Sequence, residues 1–182
     1  IKYYIDNGKK VIYTSPIKAL SNQKKWDFEN NFNEISFGIL TGDIKDNTDA
    51  DCIICTTEIL RNNLKNIENE KKINSPLDFN INIKDDVGIV IFDEAHYVND
   101  PDRGTVWEEC FIMLNKLNIQ VCMMSATLDQ PEKFAKWFEN LDGNNRELIL
   151  SLTDKRAVPL EHYMWFALNS SFYKNISDKN LI

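Results

Sequence analysis

Asp93, Glu94 and His96 follow directly on the apolar run Val87-Gly88-Ile89-Val90-Ile91-Phe92. Two adjacent carboxylates at the end of a buried strand suit phosphoryl transfer to water. One can hold a magnesium ion, and the other can orient the attacking water. The competing reading of the same residues is an exposed acidic turn, which does not explain the strand before it. A zinc site is a poor match, because His-Glu-x-x-His needs a second histidine one helical turn away and residue 100 is Asp.

Such a box works only if a sheet holds it. Short β-rich runs at residues 11–14, 36–40, 52–55, 87–92, 121–124 and 148–152 alternate with longer amphipathic segments. Helices are expected to begin near Ala19, Glu58, Thr105 and Gln130, with Thr57 capping the second and Pro131 in the first turn of the last. This alternation predicts an α/β fold: a doubly wound, mostly parallel sheet with helices on both faces. Residues 66–86 are polar and rich in Asn and Lys, and read as a surface excursion. Residues 153–159 form a turn-rich bridge, residues 160–166 a further strand, and residues 169–182 a linker or frayed end.

Open parallel sheets bind ligands beyond the carboxyl ends of their strands. The residues after each run are Ser15-Pro16, Thr41-Gly42-Asp43, Thr56-Thr57-Glu58, Asp93-Glu94 and Ser125-Ala126-Thr127. All are small, hydroxylated or acidic, and all should share one rim.

Composition narrows the partners. The chain has 182 residues, 43% of them hydrophobic, enough for the core of one ordinary domain or most of one. Its apolar runs fall far short of the roughly 20 residues of a bilayer span and no signal pattern precedes them, so an intracellular protein with no membrane partner is expected. A net charge of −7 argues against a broad basic surface for nucleic acid. Binding, if any, should be local, through backbone amides, helix N-termini and a few cations. Cys52 and Cys55 have C-x-x-C spacing, yet on a strand they face opposite sides and no second pair completes a zinc set. All four cysteines are expected to be buried, reduced thiols, with zinc a distant second.

Beyond these readings, the chain resembles the superfamily 2 DExH-box helicases. Asp93-Glu94-Ala95-His96 looks like motif II, and Ser125-Ala126-Thr127 like motif III. The segment Tyr13-Thr14-Ser15-Pro16-Ile17-Lys18-Ala19-Leu20-Ser21-Asn22-Gln23-Lys24 is similar to motif Ia of the superkiller and mRNA-transport branch, RNA helicases that feed the exosome. Thr41-Gly42-Asp43, Thr56-Thr57-Glu58-Ile59-Leu60-Arg61 and Arg103-Gly104-x-x-Trp107-Glu108-Glu109 match as well, in the family's order, from about Val11 to about Tyr163. The resemblance implies a RecA-like domain that uses ATP and Mg2+. In it, Asp93 would contact the metal through water and Glu94 would activate the hydrolytic water. His96, Ser125, Ala126 and Thr127 would couple the nucleotide to nucleic-acid movement. Ser15, Pro16, Lys18, Thr41, Gly42, Thr56, Thr57, Glu58 and Arg61 would line an RNA track, gripping phosphates without reading bases. Exosome or adaptor proteins would be partners, and translocation would run 3′ to 5′.

The family also departs from this sequence. Its phosphate loop, G-x-x-x-x-G-K-[S/T], is missing here, because Gly8-Lys9-Lys10 lacks the earlier glycine and the following hydroxyl. The expectation is therefore a first RecA-like domain at residues 1–152, cut short before motif Ia, and a crossing segment and linker at 153–182 towards a second motor domain. Such a chain alone should be inactive. Asp129 stands where the family commonly has Asn. Two alternatives stay open: a DNA helicase of the same superfamily, and a non-catalytic binding scaffold. Trp107 could be core or a contact surface, and Arg103 could pair with a carboxylate to position the helix that carries Trp107.

Overall fold

The computed structural model describes residues 1–68, 76–141, 147–153, 155 and 158–163. The chain divides into two units, Ile1–Leu148 and Ile149–Ile182.

In the first unit, six strands form one sheet in the order β3-β2-β4-β1-β5-β6. They are β1 (Lys10–Ser15), β2 (Phe37–Leu40), β3 (Lys45–Asp46), β4 (Cys52–Thr56), β5 (Val87–Phe92) and β6 (Gln120–Met123). All neighbours pair in parallel except β2 and β3, which are antiparallel. The two-residue β3 was not foreseen, because its Lys45 and Asp46 are both exposed and carry no apolar signal. Its hairpin depends on Gly38, where an added Cβ would lie 2.0 Å from the carbonyl oxygen of Asn47.

Alternation along the strands divides the core in two. Ile12, Ile53, Cys55, Val90 and Phe92 point to one face, where they meet Leu60, Leu64, Trp107, Phe111 and Phe138. These residues come from α3 (Thr57–Glu68), α5 (Gly104–Lys116) and α6 (Pro131–Glu139). Val11, Tyr13, Cys52, Ile54, Ile89 and Ile91 point to the other face, against Tyr4 of α1 (Lys2–Asp6) and Phe28 of α2 (Lys18–Asn31). Helices thus cover both faces, as the sequence predicts. Trp107 is fully buried and stacks on Tyr97, which decides for the core reading of that residue. An aromatic of this size stabilises such a core by about 3–5 kcal/mol relative to alanine.

The excursion returns through a short helix, α4 (Ile83–Asp86). Its described part is pinned rather than loose. Asn63, buried on α3, donates Nδ2 to the carbonyls of Ile59 (2.9 Å) and Leu77 (3.0 Å), and its Oδ1 accepts the Phe79 amide at 2.9 Å.

Four expectations need correction. Residues 148–152 are not a strand, since no strand among the described residues hydrogen-bonds to them and an unpaired apolar run has no ladder to join. Residues 160–163 are likewise not in a strand, and 164–166, like 169–182, lie outside the described residues. Thr57 does not cap α3. It is the first helical residue, packed out of solvent, and its hydroxyl has no hydrogen-bond partner among the described residues. Finally, Cys122 is exposed while Cys52, Cys55 and Cys110 are buried, because β6 exposes alternate residues. In the second unit the described residues form no helix or strand, and Ile149, Val158 and Tyr163 are exposed.

Candidate functional site

Because β2, β4, β1, β5 and β6 run parallel, their carboxyl ends lie on one edge. Thr41, Thr56, Ser15, Asp93 and Ser125 follow each other along it. The helix after β1 packs on one face and the helix after β5 on the other. In open sheets ligands bind beyond the carboxyl ends of the strands, where such helices part to opposite faces. Asp93 follows β5 on that edge.

Its backbone amide still donates to the Thr14 carbonyl (2.9 Å), continuing the ladder for one residue. Its side chain is only 15% exposed. Tyr13 Oη donates to Asp93 Oδ2 at 2.5 Å, and Lys24 Nζ lies 3.7 Å from the same oxygen. Burial pushes the Tyr13 phenol well above its usual range, and the bond to Asp93 pushes it further. Tyr13 therefore stays a protonated donor at physiological pH. Neither Tyr13 nor Lys24 was singled out from sequence. The signal was there for Tyr13, two residues before Ser15 on a strand whose alternate side chains share a face.

Glu94 leaves the strand with φ 51° and ψ 46°, a left-handed conformation that costs a non-glycine residue about 1–2 kcal/mol. Hydrogen bonds hold it there. Asp93 Oδ1 accepts the Glu94 amide at 3.0 Å, and the Ala95 amide donates to the Met124 carbonyl at 2.8 Å. The second bond ties the acidic box to the end of β6. The chain then winds into a 3₁₀ helix, Ala95–Asn99. On it His96 Nδ1 lies 3.4 Å from Glu94 Oε2 and 3.5 Å from Ser125 Oγ. The structure thus brings Glu94, His96 and Ser125 together. Ala126 and Thr127 are exposed beside Ser125.

The remaining rim residues are more engaged than their types suggest. Ser15 Oγ pairs with Ser21 Oγ at 2.7 Å, both buried. Thr41 Oγ1 accepts the amides of Asp43 (3.4 Å) and Ile44 (3.2 Å). Pro16, Thr56 and Thr57 are buried, whereas Gly42 is exposed. Lys18 pairs with Asp43 at 2.7 Å, and Arg61 lies 3.8 Å from Glu109. Glu58 pairs with Arg103 at 2.5 Å, so Arg103 does find a carboxylate.

A hard carboxylate oxygen at Asp93, shielded but reachable, fits a magnesium ion held through water. Among the described residues no cluster of three His, Cys, Asp or Glu side chains could hold a metal. Mg2+ binds through one or two carboxylates together with substrate phosphates.

Comparisons with known proteins bear on the family and the fold. Residues 2–134 match the family described as DEAD/DEAH box helicase. The antiviral helicase SKI2 of Saccharomyces cerevisiae is 46% identical over 159 residues, covering 87% of this chain and 11% of that protein. The exosome RNA helicase MTR4 of Mus musculus is 40% identical over 156 residues, covering 86% of this chain and 13% of that protein. The chain thus spans only a small part of the length of these relatives. Among solved structures, the Mycobacterium smegmatis helicase Lhr bound to ssDNA and AMP-PNP superposes with a TM-score of 0.50 and 25% identity, over 75% of this chain and 20% of that one.

Proposed function

This chain belongs to the DEAD/DEAH box helicase family, and from that premise we propose that it is part of an ATP-dependent RNA helicase of the superkiller and mRNA-transport type. Residues 1–152 serve as its first motor domain. ATP and Mg2+ are its cofactors, RNA is its substrate, and exosome or adaptor proteins are its partners, with 3′ to 5′ translocation.

The observation that carries the reading is the contact of His96 with both Glu94 and Ser125. It links the acidic box to the end of the next strand through side chains, where a change on one side can be felt on the other. Magnesium, when bound with ATP, supplies charge neutralisation at the phosphates. Asp93 would hold it through water, and Tyr13 and Lys24 keep that carboxylate in place. Glu94 orients the attacking water, its position maintained by the left-handed turn. His96, Ser125, Ala126 and Thr127 sense the state of the site. The sequence holds no G-x-x-x-x-G-K-[S/T] run, so these 182 residues alone carry the metal and water side of the chemistry without a phosphate cradle and should turn over no ATP.

The RNA track runs along Ser15, Pro16, Lys18, Thr41, Gly42, Thr56, Thr57, Glu58 and Arg61. The hydroxyls of Ser15 and Thr41 and the amides of Thr41, Asp43 and Ile44 are already bonded inside the protein, and Pro16 has no amide hydrogen to offer, so much of the grip falls to the two cations. Lys18 and Arg61 add charge by exchanging their carboxylate neighbours for phosphates. Such contacts ignore base identity.

The test is Glu94→Gln in the full-length protein. RNA-stimulated ATP turnover should be lost while ATP binding persists; undiminished turnover would sink the assignment. Competition between RNA and DNA strands of one sequence then decides the substrate, and a preference for DNA would overturn the RNA reading.

A further inference from the structure

Arg103 is where three segments of the rim converge. It closes the turn that follows the acidic box. Asp100 Oδ1 accepts the amides of Asp102 and Arg103, both at 2.9 Å, and the Gly104 amide donates to the Asp100 carbonyl at 2.8 Å. The turn has no slack, since a Cβ on Gly104 would lie 2.2 Å from the Val98 carbonyl oxygen.

From this fixed origin the guanidinium passes over two aromatic rings, 5.6 Å from the centroid of Tyr97 and 5.5 Å from that of Trp107. Those rings stack on each other at 5.7 Å. Nε and Nη2 both donate to Glu58 Oε1, at 3.1 and 2.5 Å, and Nη2 also donates to the Pro16 carbonyl at 2.6 Å. Pro16 lies in the loop after β1, Glu58 in the first turn of α3, and Tyr97 on the 3₁₀ helix of the acidic box.

The pair with Glu58 is about one-third exposed on each side, so as an isolated ion pair it adds little stability. Its significance is geometric. One planar fork serves a carboxylate and a carbonyl while its face lies on two rings, which a lysine ammonium cannot do. A displacement of any of the three segments must either carry the others along or break these bonds.

We propose that Arg103 is a positioning residue that makes the acidic box and the loops at Pro16 and Glu58 move together, and so couples RNA binding to ATP turnover. The inference rests on the helicase reading above. It adds a residue that contacts neither nucleotide nor RNA.

The experiment uses the full-length protein with Arg103→Lys and Arg103→Gln. ATP turnover is followed without RNA and across an RNA titration, and RNA affinity is measured by anisotropy with and without a nucleotide analogue. RNA-free turnover should change little. Stimulation by RNA should fall at least about fivefold, the low end of ordinary coupling between sites, and the nucleotide dependence of RNA affinity should fall with it. Equal losses of RNA-free and stimulated turnover would mean a merely structural role and overturn the proposal, as would unaltered stimulation in both variants. Wild-type protein that shows no stimulation by RNA would overturn the helicase reading as well. Stimulated wild type with unaltered variants would overturn the role of Arg103 alone.

Discussion

Replacing Asn63 by alanine should destabilise the first unit by about 2 kcal/mol, a figure assembled from the bonds it makes. Asn63 is 7% exposed, and its side chain amide is satisfied by three buried or half-buried partners. Alanine leaves the Phe79 amide without its acceptor, and an orphaned buried donor costs about 1–3 kcal/mol. Loss of the bond to the Leu77 carbonyl removes about 1 kcal/mol more. Against this, alanine is the better helix former by roughly 0.6 kcal/mol. The net loss corresponds to a drop in melting temperature of about 4–8 °C for a chain of this size. Urea unfolding followed by fluorescence gives the free energy, and hydrogen exchange gives its location. The Phe79 amide should lose protection before the amides of β4 do. A change below about 0.5 kcal/mol, within the range of an ordinary surface substitution, with exchange at Phe79 unaltered, would refute the claim that Asn63 anchors the returning excursion.

Two further outcomes concern titration and thiol access. Asp51 accepts Ser36 Oγ at 2.6 Å and the Ser36 amide at 3.0 Å, and these bonds hold its carboxyl below the usual range. A carboxyl depressed in the folded state adds stability above its unfolded pKa of about 3.9, and that stability is lost as pH falls through the folded value. Ser36→Ala should therefore destabilise most at neutral pH, and the gap from wild type should narrow on acidification below pH ~4. A gap that stays constant or widens in urea titrations at the two pH values would contradict this. Among the four cysteines, Cys122 alone is exposed. Burial pushes the Cys52 thiol up to about 12 and raises those of Cys55 and Cys110 as well. A maleimide at neutral pH should label Cys122 in the folded chain and the other three only in urea. Comparable rates at two or more thiols in the native protein would show that the sheet is open.

Much of the rim was legible because chain direction is a local property. In a parallel sheet every strand ends on the same edge, so the residues after each apolar run share it without any knowledge of strand order. The acidic box, Ser125 and the threonines were found this way. Features without an apolar signal were not legible. The pair Lys45 and Asp46 became a strand only because β2 offered a partner, and residues 148–152, apolar enough, found none among the described residues. Thr57 has a capping side chain, yet α3 begins on it directly from β4, so the residue in the cap position is Thr56.

The residue types on the rim, the opposite facing of Cys52 and Cys55, and the two-sided core follow from spacing along the chain, because side chains alternate with a period of two on any strand. Which rim groups are free and which are already engaged was decided by the tertiary structure alone. Tyr13 reaches Asp93 across 80 positions and Arg103 reaches Glu58 across 45. Spacing can place Tyr13 on a face and suggest a carboxylate for Arg103, but it names neither partner, since the geometry of these pairs exists only once β1, β5, α3 and the turn before α5 are packed together.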